Sequence, residues 1–246
     1  MAQVCYGEVM SSVKLLETLK NKYGHLEGEA LLAPLLNNEL QGRIALVSSF
    51  GTEAALLLDI VAKIDPSLPV ILLDTQMLFP ETLAYHALLK SELGLKNIHI
   101  IYPDYVDTSR RDPDGTLWRK DTHACCYIRK VKPLQKALKN FDAWITGRKR
   151  FQGGLRTNLE LLEASDGKIK INPLAKWSAE KIEKEFKARN LPQHPLKAAG
   201  YLSIGCVPCT SIPDNQNDQR GGRWKDQEKT ECGIHLGADG CIYPNR

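Results

Sequence analysis

Residues 43–64 read RIALVSSFGTEAALLLDIVAKI, which is an apolar run, a short polar loop and a second, longer apolar run. The first run, Arg43 to Val47, has the length of a buried strand, whereas Glu53 to Ile64 has the length and composition of a helix. The loop Ser48-Ser49-Phe50-Gly51-Thr52 joins the two. A strand, a loop and a helix in this order form the repeating unit of a parallel sheet.

The same unit recurs further along the chain. Pro69 to Leu73 predicts a second strand, and Pro80 to Leu93 predicts a helix with proline at its first position. Asn97 to Tyr102 and Ala143 to Thr146 predict two more strands. Strands that alternate with helices imply right-handed crossovers, so we expect an α/β fold with a doubly wound, mostly parallel sheet. Ligands of such sheets bind beyond the carboxyl ends of the strands.

Segments with other patterns flank this region. Leucines near the helical period predict a helical N-terminal segment over residues 1–40. Lys168 to Ile171 alternates like a strand, and Ser178 is placed to cap a helix that runs to about residue 190. Beyond Pro213 the chain is polar and contains glycines, which is typical of a mobile segment. We therefore expect an α/β domain over residues 41–212 and a mobile C-terminal tail over residues 213–246.

The composition restricts the class of protein. The 246 residues suffice for one substantial core, and 43% hydrophobic and 25% charged residues are usual for a soluble globular protein. The net charge of +4 is too small to make nucleic acid the expected partner. The chain has no apolar stretch of membrane-spanning length, and its first residues do not resemble a signal peptide. We therefore predict a cytoplasmic protein that does not act at a membrane.

Four of the seven cysteines form two pairs. Cys125-Cys126 is followed by Arg129-Lys130, and Cys206 and Cys209 are separated by two residues. Adjacent side chains reach one tetrahedral zinc ion only with strain, whereas an iron-sulfur cluster offers each thiolate its own iron. The pattern favours a cluster whose negative charge the two cations offset. Zinc, or buried cysteines together with a redox pair, are the alternatives.

A further cysteine, Cys232, lies in the polar run from Lys229 to His235. Lys229 and His235 at the ends of that run would lower the pKa of Cys232 and raise its thiolate fraction, so Cys232 is a candidate nucleophile. An exposed, inert thiol is the alternative interpretation. Cys5 and Cys241 have no partner at a metal-ligand spacing, and we expect them to be bystanders.

Two further features suit an anionic ligand. The loop Ser48 to Thr52 combines hydroxyls and a glycine before a helix, although it lacks the Walker pattern, and an ordinary capped turn is the alternative. Basic residues in glycine-containing loops suit phosphate or sulfate, although any one of them alone could be surface charge. These cations are Lys130, Arg148, Lys149, Arg150, Arg156, Arg220 and Arg223.

Taken together, the motifs resemble those of the assimilatory sulfonucleotide reductases, specifically the cluster-bearing adenylyl-sulfate (APS) reductases. The resemblance covers residues 43–236. It is carried by Cys125-Cys126 with Arg129-Lys130, Gly205-Cys206-x-x-Cys209-Thr210, Arg220-x-Gly222-Arg223-Trp224 and Glu231-Cys232-Gly233-x-His235.

The resemblance implies a fold like that of the ATP pyrophosphatases, the adenine-nucleotide α-hydrolases, and a role for each matching residue. One 4Fe-4S cluster per chain would be bound by Cys125, Cys126, Cys206 and Cys209. The catalytic residues would be Cys232, as the nucleophile, and His235. The substrate would be bound by Ser48, Ser49, Gly51, Asp74, Thr75, Lys130, Arg150, Arg156, Arg220 and Arg223. The chain departs from the family at Lys149-Arg150, where paired arginines are usual, and at Leu155, where threonine is usual.

The implied activity is thioredoxin-dependent reduction of APS to sulfite and AMP through an S-sulfonate on Cys232. A thioredoxin-like dithiol protein would be the partner, and a homo-oligomer is expected. Reduction of 3'-phosphoadenylyl sulfate (PAPS), or of both nucleotides, is the nearest alternative. A cluster-containing ATP pyrophosphatase and an iron-sulfur sensor that binds nucleic acid are more distant ones, and the small net charge disfavours the sensor.

Overall fold

The computed structural model describes residues 2–225, 227 and 229–235, with side chains from residue 12 onward. Six strands form one sheet: β1 Ile44–Val47, β2 Val70–Leu73, β3 Ile98–Ile101, β4 Ala143–Ile145, β5 Leu162–Ser165 and β6 Lys168–Ile171. The described α-helices are α1 Ala2–Tyr23, α2 Gly28–Pro34, α3 Ala54–Ile64, α4 Pro80–Glu92, α5 Tyr105–Arg111, α6 Leu117–Lys120, α7 Thr122–Cys126, α8 Lys132–Ala137, α9 Ala179–Ala188 and α10 Pro195–Ala198.

The strand order in the sheet is β3-β2-β1-β4-β6-β5. All pairings are parallel except that of β5 with β6, so the predicted doubly wound, mostly parallel sheet is confirmed. The strand order reverses direction between β1 and β4, because β2 lies on one side of β1 and β4 on the other. A crevice opens at such a point beyond the carboxyl ends of the strands, which is where ligands of this architecture bind.

The centre of the sheet is buried on both faces. Every residue of β2 is buried, and α3 has an uninterrupted buried run from Ala55 to Val61. The N-terminal helices join the same core through Leu19, Leu31 and Leu35, each fully buried. Burial of this many aliphatic side chains is the main stabilisation of the sheet and fixes the positions of the loops at its edge.

Between β3 and β6, two regions of regular structure were not predicted from the sequence, and α10 further along the chain was not predicted either. One is β5, which forms a hairpin with β6 through Asp166 and Gly167, at φ 51° and 73°. An Asp-Gly pair with positive φ at both residues makes the tight turn that suits a two-residue hairpin. The other is the group of short helices α5 to α8. Within the described residues, no helix is both long and apolar enough to span a membrane.

Candidate active site

A cleft opens at the carboxyl ends of β1, β2 and β4, and it is partly open to solvent. Its floor is formed by the ends of the strands and the start of α3. The C-terminal tail covers one side of it. Of the site residues predicted from the sequence, those that line the cleft are Ser48, Ser49, Gly51, Lys130, Arg156, Arg220, Arg223, Cys232 and His235.

The loop between β1 and α3 forms one wall of the cleft and is tied to the backbone. The Ser48 hydroxyl accepts the Phe50 backbone N–H at 3.2 Å, and the Thr52 hydroxyl donates to the Leu202 carbonyl at 2.9 Å. Phe50 has a φ of 48° and is fully buried, with its ring against His86. Because a buried aromatic ring holds this unusual backbone conformation, the hydroxyls of the loop stay at the edge of the cleft.

Positive charge predominates along the cleft. The cations that line it are Lys130, Arg148, Lys149, Arg156, Arg220 and Arg223, and the carboxylates are Glu53 and Glu231. Lys149 pairs with Glu53 at 2.7 Å, whereas Glu231 pairs with both Arg156 and Arg220. Among the described residues, neither Lys130 nor Arg223 has a carboxylate partner. The cleft is therefore suited to a ligand with more than one negative charge.

Cys232 lines the cleft, and its side chain is buried, so the interpretation of an exposed inert thiol is wrong. Hydrogen bonding from the Cys126 thiol is the largest influence that lowers the pKa of Cys232 well below its ordinary value. Burial opposes this shift, while Lys130, the Ile234 N–H and Lys229 add to it. A cysteine on the wall of a cationic cleft, with Lys130 and Lys229 acting to lower its pKa, is a candidate nucleophile.

His235 is half-buried on the wall of the cleft. Its ring stacks on Trp144 with the ring centroids 6.1 Å apart, and the Lys170 ammonium lies 4.8 Å from the centroid of the same indole. Burial, together with nearby cations such as Arg148 and Arg156, lowers the pKa of His235 well below its ordinary value. His235 is therefore neutral near pH 7, so it does not act on Cys232 as the positive charge expected from the sequence.

The two cysteine pairs come together beside the cleft. Cys126, Cys206, Cys209 and Cys232 share one buried apolar cluster with Trp224. Burial raises the pKa of the Cys125 thiol to about 11, and the nearby Cys206 and Cys209 add to this shift. All five described cysteines are free and buried. The loop that carries Cys206 and Cys209 is bonded to the loop after β2, where Val207 N–H donates to the Met77 carbonyl at 2.8 Å.

A buried polar network supports this group of thiols. Arg129 pairs with Asp112 at 2.7 Å and donates a hydrogen bond to the Thr75 carbonyl at 2.9 Å. The Thr75 hydroxyl lies 3.2 Å from the Cys206 sulfur. Thr75 therefore contacts the thiols rather than lining the cleft, although the resemblance implied that it binds the nucleotide. Asp74 and Arg150 also lie outside the lining of the cleft, where they bond to Gln76 N–H and to the Leu159 carbonyl.

The cysteines are the residues that would hold a metal centre. In the described part of the chain, no group of three or more His, Cys, Asp or Glu is arranged around a single ion. Four buried thiols on two segments, however, suit a cluster in which each thiolate takes a separate iron. The indole of Trp224 packs in the same cluster as these thiols, and its buried N–H has no partner among the described atoms. A sulfur acceptor beside it would satisfy this N–H.

Several residues of the site had not been assigned a role from the sequence. Glu231 stood in a quoted motif, but its pairing with Arg156 joins residues 75 positions apart and has no local signal. Asp112 and Trp144 likewise act through distant contacts. The expected bystanders Cys5 and Cys241 lie outside the part of the chain whose side chains the structure describes.

Comparison with known proteins places these features in a family. The sequence model of the phosphoadenosine phosphosulfate reductase domain matches residues 43–212. The chain is 45% identical to the adenosine 5'-phosphosulfate reductase of Chelativorans sp. (strain BNC1) over 92% of both chains. It is 46% identical to the enzyme of that name from Mesorhizobium japonicum, over 87% of this chain and 84% of the relative.

Solved structures agree on the fold. The phosphoadenylyl-sulfate reductase of Candida auris, in a phosphate complex, superposes with a TM-score of 0.67 at 24% identity, covering 80% of this chain and 96% of that one. Yeast FAD synthetase in complex with FAD superposes with a TM-score of 0.51 at 15% identity, covering 83% and 76%. These similarities support an adenine-nucleotide α-hydrolase-like fold. Together with the sequence matches, they lead to the conclusion that the chain belongs to the phosphoadenosine phosphosulfate reductase domain family, among the adenosine 5'-phosphosulfate reductases.

Proposed function

We propose that the protein reduces adenosine 5'-phosphosulfate to sulfite and AMP through an S-sulfonate on Cys232. The observation that carries this proposal is the position of Cys232, a thiol on the wall of a cleft lined by six cations. The relatives named above act, by their names, on the same nucleotide. A cationic cleft that also presents a thiolate suits nucleophilic attack on a sulfated nucleotide.

In the first half-reaction, the Cys232 thiolate attacks the sulfuryl sulfur. A sulfur–sulfur bond forms as the bond from sulfur to the bridging oxygen breaks, and AMP leaves with the bonding electron pair. In the second, a thiolate of a reduced dithiol protein attacks the Cys232 sulfur and releases sulfite. The second thiol of that protein then resolves the mixed disulfide, so the dithiol supplies both electrons and Cys232 is regenerated.

The residues of the cleft have distinct tasks in this mechanism. Lys130 and Arg223, which have no carboxylate partner among the described residues, attract the dianionic phosphosulfate and reduce its repulsion of the thiolate. Ser48, Ser49 and Gly51 border the nucleotide end of the cleft. Neutral His235, held against Trp144, positions the turn that carries Cys232. We infer that the tail opens between the half-reactions, because the buried Cys232 is otherwise inaccessible to a partner protein.

We further propose that Cys125, Cys126, Cys206 and Cys209 hold one 4Fe-4S cluster. Support comes from the burial of all four thiols, from the Trp224 indole in the same cluster, and from Lys130. Burial alone would lower the pKa of Lys130, but Cys206, Cys232 and Cys126 raise it above its ordinary value, so its positive charge balances negative sulfur. When bound, the cluster would supply negative charge and a rigid link between the two cysteine segments.

The nature of the partners is part of the proposal. Thioredoxin is the expected dithiol donor, because its reactive thiols can form and resolve a mixed disulfide with Cys232. Cytoplasmic location is supported by the five free cysteines, which match a reducing compartment. Assembly as a homo-oligomer, the absence of a nucleic-acid partner and the absence of a membrane partner stay predictions.

Reduction of PAPS is the second candidate activity. It is favoured by the description of the matching family and by the name of the Candida auris neighbour, both of which refer to the phosphoadenosine nucleotide. The two nucleotides differ by a 3'-phosphate. An enzyme for PAPS therefore needs additional cationic contacts at the ribose end of the cleft.

The test is sulfite release by anaerobically purified protein with thioredoxin and either nucleotide. The proposal predicts turnover with APS at least about a hundredfold more efficient than with PAPS, a difference that corresponds to about 2.8 kcal/mol. It also predicts about four irons and matching sulfide per chain. Greater efficiency with PAPS would favour the second candidate, and a protein inert to both nucleotides would refute the proposed function.

A further inference from the structure

Glu231, the residue before Cys232, places its carboxylate against two guanidinium groups of the cleft. Its Oε2 lies 2.6 Å from Arg156 Nε and its Oε1 lies 2.8 Å from Arg156 Nη2. The same Oε1 lies 3.3 Å from Arg220 Nη2. The side chains of Arg156 and Glu231 are only 9% and 5% exposed. A two-point grip of this kind is how a guanidinium binds phosphate or sulfate as well as carboxylate.

The carboxylate is also bonded to the backbone that carries the thiol. Cys232 N–H donates to Glu231 Oε1 at 3.0 Å, so one oxygen contacts Arg156, Arg220 and the start of the Cys232 residue. Movement of Glu231 away from the arginines must therefore break this bond or move Cys232 as well. The anion site and the nucleophile are mechanically connected through a single side chain.

The two arginines need an anion. Within the described residues, Glu231 is the carboxylate that pairs with either of them. Burial, followed by repulsion from Arg156, lowers the pKa of Arg220 to about 10, which shows that its charge is poorly solvated. Buried like charges without a counter-ion are strongly unfavourable. The guanidinium pair is therefore occupied by Glu231 or by an anion that takes its place.

We propose that Glu231 is a latch: it occupies the anion-binding guanidinium pair in the ligand-free protein, and the sulfate or phosphate group of the substrate displaces it and releases the Cys232 segment. The identity of the substrate rests on the proposed function, but the class of ligand rests on the guanidinium geometry alone. On this account, Cys232 stays buried until an oxyanion enters the cleft. The thiol is thereby protected when no substrate is present.

The latch has a measurable cost in affinity. An anion that must displace Glu231 binds more weakly than it would to free arginines. Its apparent affinity is the intrinsic affinity multiplied by the fraction of molecules in which Glu231 has left the guanidinium pair. Glu231→Gln keeps the size of the side chain and an oxygen that can accept the Cys232 N–H, but it removes the charge. If the latch is closed in about nine molecules of ten, this variant binds anions about tenfold more tightly.

The first arm of the test is calorimetric binding of AMP and of inorganic sulfate to the full chain. The latch predicts tighter binding of both ligands to Glu231→Gln than to the unmodified protein. A Glu231 that merely holds the arginines in place for the substrate predicts weaker binding, so unchanged or weaker binding overturns the proposal. Neither measurement depends on turnover.

The second arm follows the thiol itself. The rate of Cys232 alkylation by iodoacetamide is measured by mass spectrometry of the peptide that contains it, with and without sulfate. We expect sulfate to accelerate alkylation of the unmodified protein several-fold and to have no effect on Glu231→Gln, which reacts rapidly without it. Sulfate that slows alkylation, or has no effect on the unmodified protein, overturns the proposal even if the variant does not fold.

Glu163→Gln is the matched control. Glu163 pairs with Arg148, another cation of the cleft, but it lies on β5 and not on the tail. Its substitution removes the same charge from a neighbouring arginine, so Cys232 must still be released only when sulfate is added. Rapid alkylation of Cys232 in this variant without sulfate would show that net charge alone controls its release, and it would overturn the latch. A protein that shows the predicted responses but does not reduce APS would refute the proposed function and leave the latch standing.

Discussion

Two walls face each other across the cleft, and they are held in different ways. The loop from Ser48 to Thr52 is bonded mainly to backbone atoms, as in the contact of Thr52 with the Leu202 carbonyl. The opposite wall is the tail, which a backbone bridge between Thr210 and Arg223 anchors at its start. Its described residues beyond Trp224 are held to the rest of the chain by side chains, such as Glu231 with Arg156 and His235 with Trp144. A ligand does not readily replace backbone bonds, but an anion can replace a carboxylate.

Because its two walls are held differently, one site can be both rigid and able to open. The loop wall continues directly from β1 into α3, whose residues are buried in the main core, so it is preformed. The tail wall depends on charges and stacked rings that substrate can exchange or disturb. We therefore expect the nucleotide to bind a fixed wall and the reactive thiol to approach from an adjustable one.

The buried ion pair of Arg129 with Asp112, which supports the group of thiols, should show the largest effect on stability when it is broken. Asp112→Asn leaves Arg129 charged and buried without its ion pair, which typically costs about 3–5 kcal/mol. We expect a fall in Tm of about 10 °C, measured by thermal unfolding, because 1 kcal/mol corresponds to about 2–4 °C in a chain of this size. Asp142→Asn is the control, because its pair with Arg43 is half exposed and should contribute less than about 1 kcal/mol. Equal shifts in the two variants would contradict this assignment.

A smaller effect, on catalysis rather than on folding, is expected at Gly205. A Cβ added there would lie 2.2 Å from Arg223 Nη2, at the flexible end of that side chain. Gly205→Ala should therefore displace the Arg223 guanidinium and reduce kcat/KM about tenfold, or about 1.4 kcal/mol, while Tm changes little. In Gly147→Ala, the new Cβ meets Leu57 at an ordinary 3.6 Å, and kinetics close to those of the unmodified protein are expected. Loss of stability without loss of kcat/KM at Gly205 would refute this role.

A substitution in the loop from Ser48 to Thr52 should weaken nucleotide binding without exposing Cys232. Thr52→Val keeps the shape of the side chain but removes the hydroxyl that satisfies the Leu202 carbonyl, at a cost of about 1–2 kcal/mol in the free energy of unfolding. We expect weaker binding of AMP by calorimetry and no increase in Cys232 alkylation. Thr157→Val, which removes an exposed hydroxyl contact, serves as the control. Accelerated alkylation in Thr52→Val would show that the two walls are not independent.

At neutral pH the least visible effect is a pH dependence of stability that belongs to the scaffold. His194 Nδ1 accepts the Leu196 N–H and its Nε2 contacts the Thr82 hydroxyl, so the folded protein needs a neutral ring. Burial lowers the pKa of His194 to about 4, against an ordinary 6.5, although Glu81 opposes the shift. Because the unfolded chain binds the proton first, stability falls as the pH drops from 6.5 towards 4.

We expect this residue to contribute about 2 kcal/mol to the loss of stability between pH 7 and pH 5. In His194→Gln, which does not titrate in that range, the fall in Tm over the same interval should be about 6 °C smaller. Identical pH profiles for the two proteins would show that the proton is not bound at His194. The alkylation rate of Cys232 at pH 7 should be the same in both.

The sequence predicted the parts of the fold that depend on local patterns. The strands β1, β2, β3, β4 and β6 and the helices α3, α4 and α9 were predicted to within a few residues, because each has a clear apolar run or period and Ser178 caps α9 as expected. β5 was missed because four residues carry little periodicity, although the Asp166-Gly167 turn was a usable signal. Helices α5 to α8 are too short and polar to have a period.

The candidate site was predictable in its residue types but not in its pairings. The cysteine spacing and the basic loops indicated thiols and an anion site, and the structure brings the thiols together beside a cationic cleft. The pairing of Glu231 with Arg156 and the stacking of His235 on Trp144 depend on chain segments far apart in sequence. Such contacts are set by the tertiary fold, so no local pattern could have predicted the neutral state of His235.

The most direct test of the central claim is mass spectrometry of the protein after incubation with APS in the absence of a dithiol. We expect one sulfonate per chain, located on the peptide that contains Cys232, and its loss as sulfite when reduced thioredoxin is added. Cys232→Ser should form no adduct and retain less than about a thousandth of the turnover. Sulfite production without an adduct on Cys232, or full turnover by that variant, would contradict the account.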